Sequence, residues 1–241
     1  MDIRSLARSG PAAIKSLSLG RRSEKVFAIG FNKTGTSSLH KVFRTLGYNA
    51  YHGTKWRETS RPVIHRLYDA FSDGIPDDFR VLDSKFPRAR FILQVRDLSP
   101  WLDSRLEHIR RLPPEMTRHP EWTASPEAIA TWVRKWNAHH LDVMSYFADR
   151  PDDLLVINFI RDPDAADRVA AFLDHDVALA KPHANRNPEV PHGLKNDAMI
   201  DSVLSELHVP GDERFNDIYC PSVVGNVAGV ASDTSRMTTT P

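Results

Sequence analysis

The stretch Val26-Phe27-Ala28-Ile29-Gly30-Phe31-Asn32-Lys33-Thr34-Gly35-Thr36-Ser37-Ser38-Leu39 decides the fold. Its first four residues are apolar, as in a buried strand, and the run breaks at Gly30. Beyond the break, a lysine, a second glycine and the hydroxyl residues Thr34, Thr36, Ser37 and Ser38 stand at the start of a helix. That helix is expected to run to about Leu46, with Gly47 as its cap. A helix N-terminus presents unpaired N–H groups and the positive end of the macrodipole, so the pattern predicts a cradle for an anion. In it Lys33 supplies a mobile point charge and Gly35 lets the backbone come close to the ligand. The plainer alternative is a strand-turn-helix corner capped by Thr34 or Thr36.

The cradle departs from the nucleoside-triphosphate loop, G-x-x-x-x-G-K-[ST], in which lysine directly follows the second glycine. Here Lys33 lies two residues before Gly35, and Thr36 follows that glycine. At this point the sequence resembles the sulfotransferases that use 3′-phosphoadenosine 5′-phosphosulfate (PAPS), and among them the P-loop-like bacterial ones. Their 5′-phosphosulfate loop runs Lys-[Ser/Thr]-Gly-Thr-[Ser/Thr], which Lys33-Thr34-Gly35-Thr36-Ser37 fits without a gap.

A second signal lies downstream. Ala89-Arg90-Phe91-Ile92-Leu93-Gln94-Val95-Arg96 is an apolar run of strand length that ends in a cation. In the next stretch, Asp97-Leu98-Ser99-Pro100-Trp101, Ser99 is the expected N-cap and Pro100 the first helical residue, with Ser104 in the second turn. An arginine at a strand end and a serine on the next helix can hold one anion, the first in a charge-assisted fork and the second as a hydroxyl donor. Sulfotransferases bind the 3′-phosphate of their cofactor with an arginine and a serine eight residues apart, and the resemblance implies those roles for Arg96 and Ser104. Taken alone, Arg96 reads equally as a surface ion pair with Asp97 or Asp103.

Strand and helix signals alternate between these points. Strands are expected over Lys25–Ile29, Asn49–Tyr51, Phe91–Val95 and Leu154–Asn158, and a polar helix-like region over Pro62–Phe71. A long helix opens at Ser125-Pro126-Glu127 with Ile129, Trp132, Val133, Trp136, Val143 and Phe147 at helical spacing, and another runs over Pro163–Leu173. Apolar strands alternating with helices predict an α/β fold with a central, mainly parallel sheet flanked by helices on both faces, and the resemblance implies that this three-layer fold is P-loop-like. Ligands of such a sheet gather at the carboxyl ends of its strands, where Gly30, Arg96 and Asn158 fall.

Composition narrows the function class. The chain has 241 residues, 41% hydrophobic and 26% charged, enough for one core and suited to one α/β domain better than two. A net charge of +1 leaves no nucleic-acid footprint, so anion binding must come from local placement of charge. The single Cys220 fits a reducing, cytoplasmic setting, and no apolar run reaches membrane-spanning length. Residues 1–22 set Arg4, Arg8, Lys15, Arg21 and Arg22 against Asp2 and read as a basic arm. Peripheral membrane contact through Ile3, Leu6, Ile14 and Leu17 is the alternative, with Gly10-Pro11 interrupting the stripe. The enzyme domain is expected over 23–219 and a flexible polar tail over 220–241.

The resemblance implies transfer of a sulfuryl group to a hydroxyl or amine of a small-molecule, carbohydrate or lipid acceptor. Charge builds on the leaving phosphate in such a transfer, so Lys33 is the expected partner of the leaving oxygen, with Thr34 to Ser38 around the 5′-phosphate. No divalent metal is expected, because sulfate carries less charge than a terminal phosphate. Two residues are candidates for taking the acceptor proton. His52 comes directly after the second expected strand, and Asp73, in Ser72-Asp73-Gly74-Ile75-Pro76, resembles an Asp-x-x-Pro element of bacterial relatives. Their plain readings are an exposed histidine and a turn aspartate before glycine; Glu58 and His108 are outside candidates. In Lys181-Pro182-His183-Ala184-Asn185-Arg186-Asn187, the resemblance implies nucleotide contacts for Asn185 and Arg186, though an ordinary basic loop fits as well. The acceptor pocket is expected from 53–71 and 111–122, where Trp56 and Trp122 could meet an acceptor or pack internally. Two other readings stay open: a divergent P-loop nucleotide kinase, and a nucleotide-binding module without turnover.

Overall fold

The structure, a computed structural model, describes residues 24–60, 62–117, 119–182 and 194–223. Asn185 and Arg186, the basic arm and most of the polar tail lie outside the described residues. The chain divides into two compact units, one of residues up to Val95 together with Phe147–Asn187, the other of Arg96–Tyr146 together with the residues from Pro188 onward.

The first unit holds the sheet. Its strands are β1 (Val26–Ala28), β2 (Ala50–His52), β3 (Ala70–Ser72), β4 (Arg90–Gln94) and β5 (Leu154–Ile157), in the order β2-β3-β1-β4-β5 with every pair parallel. The α/β expectation holds, and the sheet is wholly parallel. Strand alternation gives it two buried faces. On one, Val26, Ala28, Ala70, Ile92 and Ile157 pack with Leu39, Val42 and Phe43 of α1 (Thr36–Thr45) and with Ala166, Val169 and Ala170 of α6 (Ala165–Phe172). On the other, the register aligns Phe71, Phe27 and Phe91 across β3, β1 and β4. Their rings stack with centroids 5.0 and 5.6 Å apart, and Trp56 lies 6.1 Å from Phe27. Each such pair adds about 0.5–1.5 kcal/mol beyond its buried area.

Strand β3 corrects the sequence reading, which carried a helix-like region through Phe71. The helix there, α2 (Pro62–Leu67), is six residues long and the chain turns at once into a three-residue strand. Three residues are too few to show period-two alternation, so the strand is set by its buried pairing with β1 and β2. A further helix, α3 (Phe79–Lys85), starts at Asp78, whose carboxylate accepts from the Arg80 N–H at 2.9 Å. The α1 helix ends as read: Gly47 has φ 83° and its N–H donates to Arg44 O.

The second unit is helical, with α4 (Leu98–Ile109), α5 (Pro126–Tyr146) and α7 (Asp197–Glu206). Trp132 and Trp136 are buried, as their spacing on α5 predicted. Helix α4 begins earlier than an N-cap at Ser99 would have it. Asp97 is the N-cap, and the Leu98 N–H donates to Asn216 O. Cys220, at the start of the expected tail, is buried, and its N–H donates to Asn137 Oδ1 at 2.7 Å.

Candidate active site

The loop after β1 is shaped by two steric facts. Gly30 sits against Gln94 at the end of β4: a Cβ there would lie 2.2 Å from Gln94 O, so no side chain fits. In exchange the Gly30 N–H donates to Gln94 Oε1 at 2.9 Å. Gly35 has φ 92° and is the N-cap of α1, with Phe159 and Ile160 packed where its side chain would be. Between the glycines Lys33 also takes a left-handed conformation, φ 68°, which a lysine adopts only where its surroundings hold it.

The hydroxyls divide their work. Thr34 is fully buried and donates to Phe31 O at 2.5 Å, so its side chain closes the turn. Thr36 and Ser38 are buried in the first turn of α1, and Ser37 is half-buried with its Oγ 3.3 Å from His52 Nε2. The first turn of α1 carries no acidic residue, so nothing in it neutralises the positive end of the helix. Buried Gln94 adds a donor at the loop's first residue, its Nε2 having no hydrogen-bond partner among the described residues. A buried donor without a partner, a helix start without acid and a glycine-shaped turn suit a phosphate-bearing ligand.

Parallel pairing then brings the proton-transfer candidates to the same sheet edge. His52 ends β2 and pairs in register with Ser72, the last residue of β3, so Asp73 comes next to it in the chain beyond that edge. His52 is exposed, and its Nδ1 lies 2.9 Å from Ser72 Oγ. Asp73 has φ 98°, a strained conformation for a residue with a side chain. Burial, reinforced by the nearby Asp73 charge, pushes the Tyr51 phenol above its ordinary range. Neighbouring His40 has its ring 5.2 Å from that of His52, and burial lowers it to about 4, so it is neutral near pH 7. Behind the loop, Lys181 Nζ donates to Ile160 O and Asp162 O at 2.9 and 2.6 Å, bracing the turn that packs on Gly35.

Arg96 and Ser104 belong to the second unit. Burial holds the Arg96 guanidinium below the usual arginine value, with Asp103 and Asp97 opposing the shift. Ser104 is half-buried in the second turn of α4. The next residue, Arg105, has its guanidinium 4.5 Å from the Trp132 ring centroid and 5.7 Å from those of Trp101 and Trp122. Trp122 thus packs on an arginine, and Trp56 is buried with its Nε1–H donating to Ser72 O at 2.9 Å. Glu58 is exposed after a 3₁₀ turn, and His108 stands in the last turn of α4. Sequence reasoning missed Ser72 and Gln94. A serine ending a three-residue strand and a glutamine inside an apolar run give no pattern of their own; only the parallel register brings them to the loop.

The fold is a wholly parallel five-stranded α/β sheet with helices packed on it, and the glycine-shaped loop stands at the tip of its central strand. Residues 25–78, from β1 through the turn after β3, match the family model of the sulfotransferase domain. No curated protein matches the chain significantly. Among solved structures, a sulfotransferase from Alicyclobacillus acidocaldarius is 17% identical, covers 77% of this chain and 94% of its own, and superposes with a TM-score of 0.47. Mouse sulfotransferase SULT7A1, solved in complex with PAP, is 14% identical over 94% of each chain, with a TM-score of 0.48.

Proposed function

We propose that the protein is a sulfotransferase that takes its sulfuryl group from PAPS and passes it to a hydroxyl or amine of a small-molecule, carbohydrate or lipid acceptor. The observation that carries this reading is the loop itself: Lys33 and Gly35, both left-handed, open onto an α1 start free of acidic residues, inside a segment that matches the sulfotransferase domain model. When bound, PAPS supplies an activated sulfuryl group on a phosphate leaving group. The α1 amides with Thr36 and Ser37 hold the 5′-phosphate, Gln94 fixes the entry of the loop, and Thr34 keeps the turn closed. Lys33 places its charge on the oxygen that departs. Arg96 and Ser104 take the 3′-phosphate, and Asn185 and Arg186 contact the nucleotide. The acceptor proton leaves to His52 or Asp73, the two groups that the ends of β2 and β3 supply. The protein works in the cytoplasm.

Calorimetry with adenosine 3′,5′-bisphosphate and with ATP plus Mg²⁺ tests the donor, and preference for ATP would favour a nucleotide kinase. Mass detection of a sulfated product from a panel of acceptors tests the reaction. Lys33→Ala is expected to lower turnover by about 100-fold or more while part of the bisphosphate affinity survives. Nucleotide binding without product from any acceptor would favour a module without turnover.

A further inference from the structure

The 3₁₀ turn after β2, Thr54–Arg57, carries Lys55 and Arg57 on either side of Trp56. The buried Trp56 ring, bonded through its Nε1–H to Ser72 O, pins this turn to the end of β3. Arg57 is then fixed at its base. Its carbonyl accepts from the Asp77 N–H at 2.9 Å, and its Nε–H donates to Thr54 O at 3.2 Å. The guanidinium lies over Gly74, where a Cβ would stand 2.9 Å from Nη1. Gly74 is buried with φ 101°, so the missing side chain makes the seat for the arginine. The two terminal nitrogens of Arg57 have no hydrogen-bond or ion-pair partner among the described residues. Nearby carboxylates are engaged elsewhere or stand apart: Asp77 Oδ1 accepts from the Thr59 and Asp78 N–H groups, Asp78 from the Arg80 N–H, and Asp73, next to Gly74, makes no ion pair with the guanidinium. A guanidinium fork fixed at its base and open at its tip suits an oxyanion with two oxygens side by side.

We propose that Arg57 selects the acceptor: the sulfuryl group goes to a hydroxyl or amine of a molecule that itself carries an oxyanion, a carboxylate or a phosphate, and Arg57 binds that group. The oxyanion site rests on the protein alone; calling its ligand the acceptor rests on the sulfotransferase reading. Position favours this role. Gly74 follows Asp73, and the pairing of β2 with β3 sets Ser72 beside His52, whose Nε2 is 3.3 Å from Ser37 Oγ in the loop after β1. The fork therefore stands on the same sheet edge as both candidates for the acceptor proton, one residue beyond Asp73. Charge favours it as well. An anionic acceptor nearing Asp73 meets a like charge, which the Arg57 cation offsets, and exposed Lys55 adds to the same field. A neutral acceptor would leave the fork unused.

Two measurements test this. In the first, sulfated product is followed for matched acceptors: 3-(4-hydroxyphenyl)propionate against its amide, glucuronate against glucose, and phosphoethanolamine against ethanolamine. The charged member of at least one pair is expected to be the better substrate by about tenfold or more in kcat/KM. Arg57→Gln is expected to erase that advantage by raising the KM of the charged member, and Arg57→Lys to recover part of it. Product forming with no pair favouring its charged member, or an equal loss for both members in Arg57→Gln, would overturn the proposal and leave the sulfotransferase reading intact. In the second, the Arg57 Nε–H resonance, assigned with Arg57→Lys, is followed in ¹H–¹⁵N spectra with adenosine 3′,5′-bisphosphate in excess to keep added anions off the loop after β1. It is expected to move on addition of a charged member and to stay in place with the neutral one. A resonance that ignores every charged member would overturn the proposal whether or not product forms. Absence of product from every pair, with Arg57 still answering to the charged members, would sink the sulfotransferase reading and leave the oxyanion site standing.

Discussion

Lowering the pH should loosen the second unit through one histidine. His140 on α5 is fully buried, and its Nδ1–H donates to Ile218 O at 2.7 Å. Asn137, one turn earlier, exchanges hydrogen bonds with both backbone groups of Cys220. Together they hold the segment whose Asn216 O accepts the Leu98 N–H at the start of α4, the helix that carries Ser104. Burial, with a smaller contribution from His139, pushes His140 down to about 3. Its folded value lies below the ordinary 6.5, so the stabilisation is complete above pH 6.5 and is lost as pH falls from there toward 3. At pH 5 the unfolded chain has taken up the proton and the native one has not, a difference of about 1.5 pH units or roughly 2 kcal/mol. The assay is denaturant unfolding at pH 8 and pH 5 for the wild-type protein and His140→Asn. The asparagine can keep the donor near Ile218 O but does not titrate. It is expected to be less stable at pH 8, because it is smaller, yet to lose roughly 2 kcal/mol less on acidification. Other histidines contribute equally to both proteins and cancel. An identical pH step in the two would refute the reasoning.

Two further outcomes are expected. Gly30→Ala forces a methyl group into Gln94 and should cost about 1–3 kcal/mol, with the melting temperature falling by several degrees and bisphosphate affinity lost in calorimetry; a wild-type melting curve would show that the loop is not packed on β4 in this way. The Cys220 thiol is pushed up to about 12 by burial and by Glu213, so at pH 8 it should react with a soluble disulfide reagent about a thousandfold more slowly than in denaturant. Fast reaction of the native protein would contradict its burial.

The strand-turn-helix loop after β1 was legible because its signals are local. Gly30, Lys33, Gly35 and the hydroxyls sit within one short stretch, and strand, turn and helix signals agree there. The α1 cap at Gly47 and the buried tryptophans of α5 were legible for the same reason. What escaped depends on partners distant in sequence. Strand β3 exists because Ala70 and Phe71 pair with Val26 and Phe27, and nothing in so short a segment announces it. Without β3, Ser72 could not be seen beside His52, nor, without the pairing of β1 with β4, Gln94 beside Gly30. Thr34 looked like a ligand donor because hydroxyl count says nothing about direction; its O–H bonds back to Phe31 O. Trp56 looked like a possible acceptor contact, but it lies inside the aromatic layer beneath β3.

The contact between Gly30 and Gln94 ties together two positions separated by 64 residues. A side chain at 30 would be admitted only by reshaping the tip of β4, and a residue at 94 without an amide oxygen would strand the Gly30 N–H in the interior. Across a set of homologues these two alignment columns should therefore drift as a pair, so that a change in one marks lineages where the loop has found another way to be anchored.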